Sequence, residues 1–217
     1  MEKFVIEGGH PLSGTITPSG SKNEALPCLA ATLMTDEPVT LKNVPRIADV
    51  EVMLEVISEL GGTYEWLDDN VVRVHTANVE TTSLDDDLCK KVRASILFAG
   101  AMLARSGGCE LPPPGGDVIG RRRLDSHFLA LEALGAKIEV GQSSYTFDSN
   151  GLVGTEIFMD EASVTGTENA IMASAVAKGD TTIRNAACEP HVQGLCRMLV
   201  KMGARISGIG GNPLTVD

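Results

Sequence analysis

The sequence predicts an α/β (α+β) domain built from one unit of about 70 residues that occurs three times around a pseudo-threefold axis. Two independent markers carry that prediction. The segments "ISELGGTYE", "LEALGAKIE" and "LVKMGARIS" each read as an apolar helical face, a glycine stop and a strand. Their first glycines, Gly61, Gly135 and Gly203, lie 74 and 68 residues apart. A second signature, centred on Leu41, Leu111 and Ile183, repeats at 70 and 72 residues. A third observation favours closure over a stacked array, because neither end of the chain shows the polar capping repeat that a solenoid needs.

Within each unit the elements follow in order. An apolar helical run opens it: "KNEALPCLAATLM" from Lys22, "KKVRASILFAGAMLA" from Lys90 and "GTENAIMASAVAKG" from Gly166. Small residues at close spacing suit helices packed tightly beneath a sheet. Pro27 is expected early in the first helix, where proline is best tolerated. A strand and turn follow, then a second helix, the glycine stop and a strand hairpin. The expected repeats span about 22–80, 88–160 and 163–217.

The starts of the three opening helices are the expected site. A helix N-terminus carries unpaired N–H groups and partial positive charge, and rotation about the axis would bring all three to one side of the domain. Ser19, Ser95 and Thr167 are open to a plainer reading as caps. Lys22 and Arg93 are not, because a basic group at a helix start opposes the dipole unless something negative sits between.

Composition sets the outer bounds. Eighteen basic and twenty-nine acidic side chains give a net charge of -11, which argues against a general nucleic-acid or anionic-membrane surface and makes any anion site local. No stretch approaches the roughly 20 apolar residues of a membrane span, and the opening "MEKFVIEGG" lacks a signal peptide's apolar core. Five cysteines without a CxxC pair fit a reduced, cytoplasmic setting and buried thiols. His10, His75 and His191 suggest no metal cluster, and neither metal nor cofactor is expected.

At "SGSKNEALP", "LPPPGGDVIGRRRLDSH" and "SVTGTENAIM" the chain resembles the enolpyruvyl transferase family, in the branch that acts on UDP-N-acetylglucosamine. The resemblance covers essentially the whole sequence. It implies an inside-out α/β barrel, helices inside and sheets outside, and a protein of twice this length whose two similar domains close on the substrates. Residues 1–21 would then pair with the second domain, which this sequence does not include. The implied reaction moves the enolpyruvyl group of phosphoenolpyruvate onto the 3′-hydroxyl of UDP-N-acetylglucosamine, at the start of peptidoglycan precursor synthesis. A lone half is expected to be inactive and to risk self-association through its uncovered inter-domain face.

The resemblance also implies roles. Asp117 stands where the family usually carries a proton-donating cysteine; a carboxylic acid can serve if its pKa is raised toward the working pH. Lys22 would contact phosphoenolpyruvate and Asn23 both substrates. Arg93 and Arg122 would fork onto substrate anions as an ammonium cannot, with Arg122 also in the catalytic set. Arg121 and Arg123 are weighted lower. Leu124, Asp125 and Ser126 would line the uridine end, although Asp125 is equally a helix cap. Ser163, Val164 and Thr165 would hold the diphosphate. Glu161 departs from the lysine that many relatives carry. His127 reads as a satisfied structural histidine, and Glu189 and Pro190 as turn chemistry. Three alternatives stay open: a shikimate-pathway enolpyruvyl transferase, an RNA-end-binding relative of RNA 3′-phosphate cyclase, and a non-catalytic interaction protein.

Overall fold

The computed structural model describes residues 3–116, 120 and 123–217. Residues 3–20 are extended, carry neither helix nor strand, and expose Phe4, Ile6, Leu12 and Ile16. After them the chain repeats one pattern. The first unit is α1 (Lys22–Ala31), β1 (Val39–Lys42), α2 (Ala48–Glu59), β2 (Thr63–Asp68) and β3 (Val71–His75). The second adds a short α3 (Asp86–Cys89) and then runs through α4 (Leu97–Ser106), β4 (Gly108–Leu111), α5 (Asp125–Ala133), β5 (Lys137–Val140) and β6 (Tyr145–Asp148). The third comprises β7 (Glu156–Phe158), α6 (Val164–Ser174), β8 (Thr181–Arg184), α7 (Pro190–Met202), β9 (Ile206–Ser207) and β10 (Leu214–Val216).

Three separate sheets result, ordered β1-β3-β2, β4-β6-β5 and β7-β8-β10-β9. In each, the strand between the unit's two long helices pairs antiparallel with the last strand of its hairpin, Leu41 opposite Val72, Cys109 opposite Phe147 and Leu214 opposite Ile183. Side chains alternate across these strands, so one face of each sheet turns inward.

The opening helices form the centre. Helices α1, α4 and α6 touch one another, and Ala25–Ala31, Leu97–Leu103 and Gly166–Ser174 are buried on every side. Such helices must be small where they cross. At Gly100 of α4 a β-carbon would lie 2.6 Å from Asn169 Oδ1 and 2.8 Å from the Asn169 carbonyl oxygen of α6. The architecture is therefore helices inside and sheets outside. The recurring glycines stop the outer helices as their spacing predicts: Gly61, Gly135 and Gly203 all have φ near +100°, a left-handed turn that a side chain would strain.

Two sequence expectations are corrected. Pro27 is the sixth residue of α1, an interior position. The run from Lys90 is not one helix: Asp85 caps α3 by accepting from the Leu88 N–H, α3 ends at Cys89, and a 310 turn over Arg93–Ile96 leads into α4. The apolar periodicity runs unbroken across that join, which hid it.

The turn after β1, β4 and β8 differs between units. Asn43 and Asn185 adopt left-handed φ of 58° and 55° and turn the chain within five residues into α2 and α7. The matching position of the second unit is Pro113, whose ring forbids that conformation. Its connection to α5 takes thirteen residues.

Candidate functional site

The three opening helices converge on a cleft of about 420 Å³ lined by Lys22, Asn23, Arg93, Ser163, Val164 and Thr165, with Asp49, Glu168 and His191 beside them. Lys22 is the first residue of α1. Its Nζ donates to Asp49 Oδ2 at 2.8 Å, and Asp49 stands in the first turn of α2. The negative partner that the position of Lys22 calls for is thus supplied in part by the protein itself.

Pro27 gives Asn23 its character. Without an N–H, Pro27 cannot complete the i+4 bond to the carbonyl of Asn23, a residue that lines the cleft.

Arg93 opens the 310 turn before α4 and reaches the loop that follows β4, donating from Nη1 to the Pro114 carbonyl at 3.4 Å and from Nη2 to the Arg123 carbonyl at 3.3 Å. The root of that loop lies directly on the Cys89–Arg93 segment. Gly115 N–H donates to Cys89 O and Gly116 N–H to Lys90 O. A β-carbon on Gly115 would fall 1.7 Å from the Lys90 carbonyl oxygen, so only glycine permits this approach. Asp117, Arg121 and Arg122 lie outside the described residues.

At the third helix start, Ser163 caps α6 by accepting from the Gly166 N–H. Behind it a buried network joins the second and third units. The Asn169 amide is oriented without ambiguity: Oδ1 accepts from the Gly100 N–H, and Nδ2 donates to the Ile96 carbonyl and to His127 Nδ1 at 2.8 Å. His127 Nδ1 must then be the acceptor and Nε2 the protonated nitrogen, donating to Thr165 Oγ1 at 3.1 Å. Burial, reinforced by Arg93, pushes the His127 pKa down to about 3, so the ring is neutral.

Ser95 and Thr167, read as possible caps, instead tie elements together: Ser95 Oγ donates to the Val92 carbonyl, and Thr167 Oγ1 accepts from the Ala187 N–H. The remaining sequence candidates lie outside the cleft lining. Arg123 pairs with Asp125 and feels Asp160 and Glu161 as well. Leu124 and Ser126 are buried, and Asp125 is the first residue of α5, its carboxylate turned to Arg123 and not to a backbone N–H.

The site residue that sequence reasoning missed is Glu168. It is 1% exposed, yet it lines the cleft. The available signal was an acid at the head of a small and apolar run, "ENAIMASAVA". Among the described residues no helix is long and apolar enough to cross a membrane, and no cluster of His, Cys, Asp or Glu could hold a metal ion.

Inner helices thus bring their first turns, a lysine and an arginine to one cleft on a threefold-repeated α/β frame, an arrangement whose charge and N–H groups suit an anion. The chain belongs to the family described as EPSP synthase (3-phosphoshikimate 1-carboxyvinyltransferase), whose sequence profile it matches over residues 6–217. It is 58% identical to a UDP-N-acetylglucosamine 1-carboxyvinyltransferase of Treponema denticola, over all of this chain and 51% of the relative. It is 53% identical to one of Bradyrhizobium diazoefficiens, over 99% of this chain and 49% of the relative. The chain spans about half the length of the curated relatives it matches. The fold is shared with the enolpyruvyl transferase NikO from Streptomyces tendae, at a TM-score of 0.82 and 22% identity over 96% of this chain and 49% of that one. It is shared too with EPSP synthase from Acinetobacter baumannii, at 0.73 and 16% over 94% and 46%.

Proposed function

We propose that this chain forms one half of a UDP-N-acetylglucosamine 1-carboxyvinyltransferase, which transfers the enolpyruvyl group of phosphoenolpyruvate to the sugar 3′-hydroxyl in the first step of peptidoglycan precursor synthesis. The observation that carries this reading is the meeting of Lys22, Asn23, Arg93 and Ser163–Thr165, from three separate units, in one cleft. Curated relatives at 46–58% identity bear that enzyme's name, which favours it over the shikimate branch.

In this reading the 3′-hydroxyl gives up its proton to a base from the second domain as its oxygen adds to C2 of phosphoenolpyruvate and a proton arrives at C3, giving a tetrahedral ketal. Loss of a proton from C3 and of phosphate from C2 then leaves the enol ether. Asp117 delivers the proton, provided closure over the site dries it enough to raise a carboxyl pKa from its usual value near 4. Lys22, Arg93 and Arg122 take the anionic groups, Asn23 bridges the two substrates, and the amides of Ser163, Val164 and Thr165 face the diphosphate. Arg123, Leu124, Asp125 and Ser126 serve the uridine end once the loop has moved.

Residues 22–217 supply the three repeats, and residues 1–21 belong with a second domain that completes the cleft. Without it the 217-residue chain binds nucleotide weakly, does not turn over, and is prone to pair with another copy through segments such as Phe4–Ile6. Calorimetry with UDP-N-acetylglucosamine tests this, on the chain and on a version extended through the second domain. Weak binding to the first, tighter binding and turnover with the second are expected. Binding of shikimate 3-phosphate in its place, salt-dependent binding of RNA, or turnover by the 217-residue chain would overturn the reading.

A further inference from the structure

A buried carboxyl oxygen without a hydrogen-bond partner among the described residues belongs to Glu168, which lines the cleft. Glu168 is three residues beyond Thr165 on α6, 1% exposed, and its Oε1 meets no partner among the described residues. The groups around it disfavour a negative charge. Glu189, at the start of α7, raises its pKa. Cys28 of α1 and Cys196 of α7 feel Glu168 as a charge that raises their own pKa values, and Glu24 of α1 acts on Cys28 in the same sense. Across the cleft, Lys22 is paired with Asp49, His191 lines the wall from α7, and Arg93 stands before α4 with its bonds to the loop. From α5 comes His127, which is neutral.

Burial and Glu189 lift the Glu168 pKa to about 8, so at neutral pH the side chain is a carboxylic acid with an O–H to donate. A buried donor without an acceptor is costly, and persists where a ligand supplies one.

We propose that Glu168 is a binding residue for the cleft's anionic ligand: its protonated carboxyl donates a hydrogen bond to a phosphate or carboxylate oxygen, and ionisation turns that contact into repulsion. The inference rests on the reading of the cleft given above and adds a group that makes occupancy fall as pH rises.

The test is calorimetry on the 217-residue chain from pH 7 to pH 9, titrating UDP-N-acetylglucosamine and, separately, inorganic phosphate. Wild type is compared with Glu168→Gln, which keeps a donor but cannot ionise, and with Glu168→Leu, which has none. Taking the ratio to Glu168→Gln at each pH cancels the ligand's own titration. In that ratio the wild-type Kd should rise about tenfold across the range. Glu168→Leu should bind several-fold more weakly than wild type at pH 7. Parallel profiles for wild type and Glu168→Gln, or full affinity in Glu168→Leu, overturn the proposal while leaving a bound sugar nucleotide in place. Phosphate binding with the Glu168-dependent profile but no binding of UDP-N-acetylglucosamine would sink the substrate reading alone. Failure of both ligands to bind overturns both.

Discussion

Asn169 and Glu168 are neighbours on α6, both almost wholly buried, and their surroundings are opposite. Asn169 uses Oδ1 and Nδ2 on three partners from three other elements, and through His127 it fixes the hydroxyl of Thr165. Glu168 has an oxygen with no partner among the described residues, and burial and Glu189 both disfavour its charge. A satisfied polar group of this kind holds the units in register, whereas an unsatisfied one in a cleft is held ready for something that arrives. The contrast separates scaffold from site within a single helical turn.

The sharpest way to break that comparison is Asn169→Ala. It strands His127 Nδ1 in the core and removes a second partner from the Gly100 N–H and the Ile96 carbonyl, and should lower stability by about 2–3 kcal/mol, read as a denaturation midpoint. Next are the two pH arms. His127 has a depressed folded pKa, so its contribution is complete above about pH 6.5 and lost as pH falls toward 3, where the core must accept a charged imidazolium. Glu168 has a raised folded pKa, so its contribution is complete below about pH 4.5 and lost as pH rises to about 8. Each arm is on the order of a few kcal/mol. Thermal melts across pH should show both, and Glu168→Gln should abolish the alkaline arm alone. The smallest expected effect is Lys22→Ala. The Lys22–Asp49 pair is about half exposed on the lysine side, so stability should move by less than about 1 kcal/mol. Turnover by a version extended through the second domain should nonetheless fall severely, a result that would put Lys22 with Glu168 on the ligand side of the contrast.

Much of the architecture was legible because it repeats. The glycines at 61, 135 and 203 need a left-handed turn in every copy, so their spacing reports the unit directly. Lys22 and Arg93 drew notice as basic groups at the starts of inner helices, whereas Asn23, Ser163, Val164 and Thr165 came from the resemblance to the enolpyruvyl transferases; all six line one cleft. The limits of the reading are equally physical. Helical periodicity cannot reveal a change of helix between Cys89 and Leu97 when apolar residues continue through it. Only the cap at Asp85 marks the break. Asp49 escaped notice because it belongs to α2, and only packing of α2 against α1 brings it to Lys22. Glu168 looks like an ordinary solvated helix acid until the other units close around α6.

The substitution of Pro113 for a turn-forming asparagine leaves the second unit with eight more connecting residues than its sisters. The described residues that flank the insert are fixed, Gly115 and Gly116 by their bonds to the Cys89 and Lys90 carbonyls and Leu124 by the start of α5. On the reading in which Asp117 is the proton donor, it follows Gly116 directly in sequence, so the group it serves is expected at the Arg93 end of the cleft. Glycines inserted after Gly116 should then slow turnover without touching a single binding contact.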